Sequence, residues 1–321
     1  MALRYLILAI VMIGVGFAAA VAMVVVLAFM LVRPKRMTDG RALAALRRLS
    51  PRDLGMEYEN VSYQVIDEST GGKIKIAGWW IPTPEARGKC AIILHGYSDA
   101  KVGGIAWAPM LRSMGFNILA LDLRAHGESG GSFTTAGFWE RHDISQVIDQ
   151  TKSERPRDFE QVILFGVSLG AAIAAATAAM RTDLAAVILE SPFSDFHNAA
   201  ARHGTNLGTP GPMFQAPAYR LAQWITRADF NAVRPKDTIP KIPCPVLLIQ
   251  SGDDPFVPPE DQAELRRVIS TCKSKAPGAI CWDLPGVHHV IGLQLHPVEY
   301  SRQIQDFLSR ALHSAVQICE K

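Results

Sequence analysis

The sequence is poor in the residues that mark metal-binding or disulfide-stabilised domains. Its five cysteines are scattered over 321 residues, and no two cysteines or histidines show the C-x-x-C or H-x-x-x-H spacing typical of metal ligands. Only Cys272 and Cys281 are close enough along the chain to pair locally, and isolated thiols are the simpler interpretation. We therefore predict no metal site and no disulfide framework.

The sequence also lacks the glycine patterns that bind nucleotides. The Gly-Gly pairs at 103–104 and 130–131 belong neither to a G-x-G-x-x-G fingerprint nor to a P-loop. With no metal pattern and no phosphate-binding loop, the sequence predicts a protein without a cofactor.

One long segment has no charged side chain at all. Residues 5–32 would form a helix of about 42 Å, which exceeds a hydrocarbon core of about 30 Å. The run is about twice as long as the hydrophobic region of a signal peptide, and it ends in Arg-Pro-Lys-Arg rather than in small residues. We interpret residues 1–36 as an uncleaved transmembrane anchor with a basic flank, in preference to a cleaved signal peptide.

The positive charge of the chain is concentrated around this run. The four flanking basic residues are Arg4, Arg33, Lys35 and Arg36. Without these four, 29 basic residues stand against 30 acidic ones, so the rest of the chain has no basic excess for nucleic acid. The flanking charges suit anionic lipid head groups, and their excess after the run favours a cytoplasmic body by the positive-inside rule. We expect a single-pass membrane protein with no nucleic-acid partner.

After a connector at 37–58, short apolar runs alternate with segments of helical composition. Two strand-like runs, 61–66 and 73–81, are separated by a Thr-Gly-Gly turn. Six more runs follow at 90–94, 117–121, 161–165, 185–189, 245–250 and 279–284. This alternation predicts a doubly wound α/β fold over 59–321, with a mostly parallel sheet and a ligand site beyond the carboxyl ends of its strands.

Residues 191–240 interrupt the alternation. Fifty residues rich in proline, glycine and aromatic side chains are too many for a simple connection. We interpret them as a small, partly helical cap inserted over the site; the alternative is an ordinary helix with a long surface loop.

The strongest local motif is Gly166-Val167-Ser168-Leu169-Gly170, which lies between an apolar run and an alanine-rich helix. It matches G-x-S-x-G in the strand-turn-helix context that this motif requires. The sharp turn exposes the serine hydroxyl, and the two glycines remove the Cβ atoms that would collide with strand and helix. We therefore predict Ser168 as a nucleophile and the backbone N–H of Leu169 as an oxyanion donor.

A serine nucleophile needs a base and an orienting carboxylate from other strand ends. Asp253 and Asp254 follow the run 245–250, and His288 and His289 follow the run 279–284. The chain order is thus Ser, Asp, His, as in α/β-hydrolases. Either residue of each adjacent pair fits this order.

The sequence resembles the α/β-hydrolases over about 59–312, and it is similar to membrane-anchored single-domain hydrolases of bacteria and their eukaryotic α/β-hydrolase-domain relatives. Besides the serine motif, the resemblance rests on His95-Gly96-Tyr97 and on Asp122-Leu123-Arg124-Ala125-His126-Gly127-Glu128-Ser129. The family usually has glycine where Ala125 stands. The turn around 250–258 and the Pro-Gly before the histidine pair also match family motifs.

The resemblance selects Asp254 and His289 as the triad partners of Ser168, and it assigns the second oxyanion donor to Tyr97. It implies a serine hydrolase that cleaves carboxylic esters, including lipid or acyl esters and thioesters, through an acyl-enzyme. The partners expected are a small-molecule or lipid acyl substrate and the membrane. The alternatives are a serine peptidase of the same fold or a non-catalytic, membrane-tethered scaffold.

Overall fold

An eight-stranded sheet runs through the centre of the computed structural model, which describes residues 1–206, 212–272 and 278–319. The strands are β1 (Glu59–Ile66), β2 (Lys73–Ile81), β3 (Lys89–Leu94), β4 (Asn117–Leu121), β5 (Gln161–Val167), β6 (Ala186–Glu190), β7 (Val246–Ser251) and β8 (Ala279–Leu284). Their order is β1-β2-β4-β3-β5-β6-β7-β8. Strand β2 is antiparallel to both β1 and β4, and all other neighbours are parallel.

Helices cover both faces of this sheet. They are α1 (Ala2–Val32), α2 (Asp39–Leu46), α3 (Lys101–Gly104), α4 (Ala108–Ser113), α5 (Glu140–Glu154), α6 (Leu169–Ala178), α7 (Phe196–Asn206), α8 (Pro212–Thr226), α9 (Pro235–Thr238), α10 (Pro259–Thr271), α11 (Gly292–Leu295) and α12 (Pro297–Cys319). Apolar side chains of α5, α6 and α10 form one core, and those of α4 and α12 form a second core on the opposite face. The mostly parallel, doubly wound fold is therefore confirmed.

Each predicted strand begins and ends within two residues of an observed one, but the helical segment between β3 and β4 is not one continuous helix. It is divided into α3, a 3₁₀ turn (Ile105–Trp107) and α4. Pro109 lies at the start of α4, where a residue without an N–H is tolerated, whereas it would interrupt a continuous helix.

The segment 191–240 is largely helical where it is described. Helices α7 and α8 are followed by short turns and α9, and the residues 207–211 of this predicted cap lie outside the described part of the chain. Phe196, Tyr219 and Phe230 pack against one another and attach the two helices to the core. Helix α8 also packs along α1.

Helix α1 has two parts with different surroundings. Most large side chains from Leu3 to Val21 are exposed, whereas Leu27, Ala28 and Val32 are buried against the body. The Val32 carbonyl accepts a hydrogen bond from the Thr134 N–H at 2.8 Å. With 31 residues, α1 is long and apolar enough to cross a membrane, and its final turns belong to the folded body.

Among the described cysteines, Cys90, Cys244, Cys272 and Cys281 are free thiols. The local pair considered from the sequence, Cys272 with Cys281, is therefore not bridged in this structure. Burial raises the pKa of both the Cys244 and the Cys281 thiols to about 12, so neither is activated as a thiolate.

Candidate active site

The turn between β5 and α6 holds Ser168 in a strained conformation. Ser168 has φ +54° and ψ −115°, a backbone conformation that residues other than glycine seldom adopt. A Cβ on Gly166 would lie 2.3 Å from the Gly170 carbonyl oxygen, and one on Gly170 would lie 2.1 Å from the Leu94 carbonyl oxygen. Only glycine fits at these two positions, and the serine is held at the N-terminus of α6.

Two hydrogen bonds join Ser168 to His289 and His289 to Asp254. The Ser168 Oγ lies 2.9 Å from His289 Nε2, and His289 Nδ1 lies 2.5 Å from Asp254 Oδ2. Because an ionised carboxylate only accepts, Nδ1 carries the ring proton and Nε2 is free to accept the serine proton. The structure thus brings together the three side chains that the resemblance selected, from the ends of β5, β7 and β8.

The Asp254 carboxylate is itself held in place by the backbone. Its Oδ1 accepts hydrogen bonds from the N–H groups of Phe256 and Val257, at 2.8 and 3.0 Å. The side chain is almost fully buried, at 1% exposure, which leaves Oδ2 for the imidazole. The Phe256 ring meets the His289 ring edge to face at 5.1 Å between centroids and so limits its rotation.

The rival residues of each adjacent pair lie elsewhere. The ring of His288 donates from Nδ1 to the backbone carbonyl of Asp253, 2.9 Å away, and both residues are exposed. The Asp253 N–H in turn donates to the Val287 carbonyl. Asp253 and His288 therefore connect the β7 and β8 loops through the backbone, whereas Asp254 and His289 face Ser168.

The predicted oxyanion donors belong to segments next to the nucleophile. Leu169 is buried and opens α6, and Gly96 approaches so closely that a Cβ there would lie 3.5 Å from the Ser168 Cβ. Tyr97 follows Gly96 in this loop. Its hydroxyl donates to the carbonyl of Met30 at 2.6 Å, and burial raises the pKa of its phenol to about 12, so the side chain stays neutral.

A cavity of about 400 Å³ opens onto Ser168 and His289. Its walls are mostly apolar and include Met30, Leu31, Trp107, Phe193, Phe196 and Phe256. Such a cavity has the size and lining of a site for a small apolar ligand. The sequence predicted that the segment containing α7 lies over the site as part of the cap, but it did not predict Met30 and Leu31, because no local pattern relates an apolar N-terminal helix to a pocket.

A second group of histidine and acidic residues lies in the loops after β3 and β4, where its hydrogen bonds fix the backbone of these loops. The His95 ring donates from Nδ1 to the Gly96 carbonyl and accepts the Leu123 N–H at Nε2, and burial holds its pKa well below the usual value. Buried Asp122 accepts hydrogen bonds from the N–H of Lys101 and from its Nζ, both at 2.7 Å. These contacts give the Gly96–Tyr97 loop its position beside Ser168.

Behind Ser168 lies the fully buried carboxyl group of Glu190, a position for which the sequence suggests only a solvated acidic residue at the entrance to the cap. The Ser168 N–H donates to the backbone carbonyl of Glu190 at 2.8 Å, and the Glu190 side chain accepts a hydrogen bond from the Tyr300 hydroxyl at 2.5 Å. Burial raises the pKa of Glu190 to about 7. The signal available in the sequence was an acidic residue at the end of the apolar run 185–189.

Within residues 1–206, 212–272 and 278–319, no three His, Cys, Asp or Glu side chains are grouped closely enough to hold a metal ion. The side chains that meet at the site are a hydroxyl, an imidazole and a carboxylate, and they lie beside an apolar cavity.

The chain is similar to proteins of a known family. A sequence profile described as "Alpha/beta hydrolase family" matches residues 91–303. The uncharacterized protein YqkD of Bacillus subtilis is 26% identical over 312 residues, which cover 92% of this chain and 95% of that protein. The lysophosphatidylserine lipase ABHD12 of Xenopus tropicalis is 28% identical over 173 residues, which cover 52% of this chain and 43% of the lipase.

Among solved structures, the Pyrococcus furiosus esterase Pf2001 is similar throughout its length. The two share 25% sequence identity with a TM-score of 0.67, and the match covers 86% of this chain and 98% of the esterase.

Proposed function

The chain belongs to the α/β hydrolase family, and from that premise we propose that it is a serine esterase acting on esters or thioesters of apolar acyl chains. The observation that carries this proposal is the chain of hydrogen bonds from Asp254 through His289 to Ser168. The Ser168 end of this chain lies at an apolar cavity. The similarity to an esterase and to a lipase supports the same class of reaction.

The first step forms an acyl-enzyme. His289 Nε2 takes the Ser168 proton as Oγ attacks the carbonyl carbon of the ester. Asp254 stabilises the imidazolium that results. The charge on the tetrahedral oxygen is stabilised by the N–H groups of Leu169 and Tyr97, each of which is expected to contribute about 10²- to 10³-fold in rate. Collapse of this intermediate expels the alcohol or thiol, which takes the proton from His289.

The second step releases the acid. His289, neutral again, accepts a proton from water as the water oxygen attacks the acyl carbon, and the proton then returns to Ser168 Oγ when the ester bond to serine breaks. No group besides the triad, the two N–H donors and water is required.

The acyl part of the substrate is assigned to the apolar wall of the cavity. Phe193, Phe196 and Trp107 line it together with residues of α1, and these side chains favour a hydrocarbon chain over a peptide's polar backbone. The substrate class therefore follows from the lining rather than from the triad, which a peptidase would share.

Replacement of Ser168 is the direct test. Purified full-length protein should react with a fluorophosphonate probe and hydrolyse p-nitrophenyl esters, and Ser168→Ala should abolish labelling and reduce ester turnover by about 10⁴-fold or more. Ser270→Ala is the matched control, since this exposed hydroxyl on α10 donates only to a backbone carbonyl of its own helix.

Three results would contradict the proposal. Full ester turnover by Ser168→Ala would remove the nucleophile assignment, and absence of labelling in the folded wild type would favour a non-catalytic scaffold. Faster cleavage of aminoacyl anilides than of esters would favour a peptidase.

We further propose that α1 crosses the membrane and holds the body on the cytoplasmic side. The exposed apolar surface of its first two thirds and the basic residues after it support this placement. Alkaline extraction should leave the chain in the membrane fraction, and protease should digest the body in inside-out vesicles but not in intact spheroplasts. Digestion in intact spheroplasts would reverse the orientation.

A further inference from the structure

We propose that the final turns of α1 form a wall of the acyl-binding pocket, so that the helix that holds the protein at the membrane also selects its substrate. This inference rests on the proposed esterase function and deepens it. It assigns Met30 and Leu31 as residues that contact the acyl chain.

Both residues line the cavity that contains Ser168 and His289. Met30 is 48% exposed although it follows buried Leu27 and Ala28 by less than one helical turn, and it lines the cavity from its open side. An apolar side chain held at the edge of the cavity that also contains the reactive hydroxyl presents a surface on which a hydrocarbon chain gains burial.

A second cavity of about 260 Å³ lies beside the first along α1. Met30, Leu31, Tyr97 and Ala200 line both cavities, so the two meet at these residues. The second cavity lies between α1, α7 and α8. A chain that extends past Met30 and Leu31 therefore passes from the reactive centre into a groove that runs beside the membrane helix.

The position of this groove favours an acyl chain drawn from a lipid layer. Its α1 side begins at Leu27, within the apolar run, and ends at Arg33 and Lys35, the basic residues that mark the end of that run. Basic residues in this position lie at the level of lipid head groups. The groove thus spans the boundary between hydrocarbon and water, where the ester of a membrane lipid resides.

Hydrogen bonds attach the end of α1 to the loops after β3 and β4. A helix that served only as a membrane tether would not need these contacts. The Tyr97 hydroxyl donates to the carbonyl of Met30, and Tyr97 follows Gly96 in the loop beside Ser168. Arg36, just beyond the helix, donates to the backbone carbonyls of His126, Gly127, Ser129 and Gly131. These contacts hold α1 in one register against the pocket.

The test measures chain-length preference in the full-length protein in detergent micelles, with p-nitrophenyl acetate, butyrate, dodecanoate and hexadecanoate as probes. Leu31→Trp and Met30→Trp should each lower the ratio of long-chain to short-chain kcat/KM by about tenfold or more, since each narrows the passage. Val26→Trp is the matched control, because this exposed residue of the same helix lines neither cavity, and its ratio should equal the wild type's.

Leu31→Ala is a second variant at this position, and the fold does not have to accommodate a large ring in it. It should widen the passage and weaken long-chain binding, raising KM for hexadecanoate about tenfold while kcat for acetate changes far less. A ratio that is unchanged in both Leu31 variants overturns the inference while the esterase proposal survives. A wild type that reacts with no ester and no fluorophosphonate overturns both.

Discussion

Asp254 and Asp122 are two buried carboxylates that lie in the loops after β7 and β4 of the same sheet, and they have nearly the same hydrogen-bond partners. Each accepts two backbone N–H groups: Asp254 those of Phe256 and Val257, and Asp122 those of Lys101 and Glu128. Each also faces one basic side chain, His289 for Asp254 and Lys101 for Asp122. They differ in what that basic side chain can do.

His289 has a second nitrogen, which reaches Ser168 at the cavity, and imidazole gains or loses its proton near neutral pH. The Lys101 side chain is 5% exposed, and its ammonium contacts the carboxylates of Asp122 and Glu128 and the face of Trp79. These contacts pair the Lys101 charge within the protein. The same arrangement of a carboxylate thus suits the proposed proton transfer in one loop and holds the backbone in the other. Substitutions at the two sites should separate catalysis from stability.

The largest effect is expected for Asp254→Asn. The amide keeps an acceptor for the backbone but no longer stabilises the imidazolium or its tautomer, so kcat for ester hydrolysis should fall by about 10³- to 10⁴-fold, with little change in melting temperature. Asp253→Asn, one residue away and exposed, should retain wild-type kcat. Steady-state kinetics and thermal unfolding of both variants test this, and equal losses in the two would contradict the assignment.

The opposite result is expected for Asp122→Asn. This change leaves the buried Lys101 charge with only Glu128, and it should reduce the free energy of unfolding by about 3 kcal/mol while kcat per fluorophosphonate-labelled site changes only a few-fold. Glu128→Gln removes the other partner of the same ammonium, but that carboxylate is 69% exposed, so its loss should cost less than about 1 kcal/mol. Urea unfolding measures both. Similar costs would show that burial does not distinguish the two ion pairs.

A smaller, pH-dependent effect is expected for Glu190→Gln. Glu190 is a third buried carboxyl group, which receives the Tyr300 hydroxyl and whose pKa burial raises from 4.5 to about 7. Between these two values the unfolded chain releases a proton that the folded state keeps, so the contribution of Glu190 to stability falls as pH rises from about 4.5 to 7. Glutamine does not titrate. The variant should match the wild type near pH 4.5 and be more stable at pH 8, by on the order of 1–3 kcal/mol.

Urea unfolding at the two pH values measures the difference. A stability difference that is the same at pH 4.5 and pH 8 would show that Glu190 does not carry this pH dependence.

The structural features that are set by residues close together along the chain were predictable from the sequence. The strands follow from short apolar runs, and the Ser168 turn follows from glycines that its geometry demands, because both are matters of local sterics and burial. The charge-free run likewise predicted the long helix α1. Family resemblance, rather than periodicity, selected Asp254 and His289, and their catalytic roles stay predictions.

Only the tertiary structure explains why the member of each adjacent pair that the resemblance selected lies on the serine side, and only it decided where the last turns of the apolar helix α1 pack. Ser168 and His289 are 121 positions apart, so the paths of two loops determine whether His288 or His289 meets the hydroxyl. In the same way, an apolar run specifies that a helix forms and is hydrophobic, but the packing of its last turns against α8 and Tyr97 depends on surfaces made by distant segments. Contacts between residues so far apart along the chain arise from the fold as a whole, which no local pattern encodes.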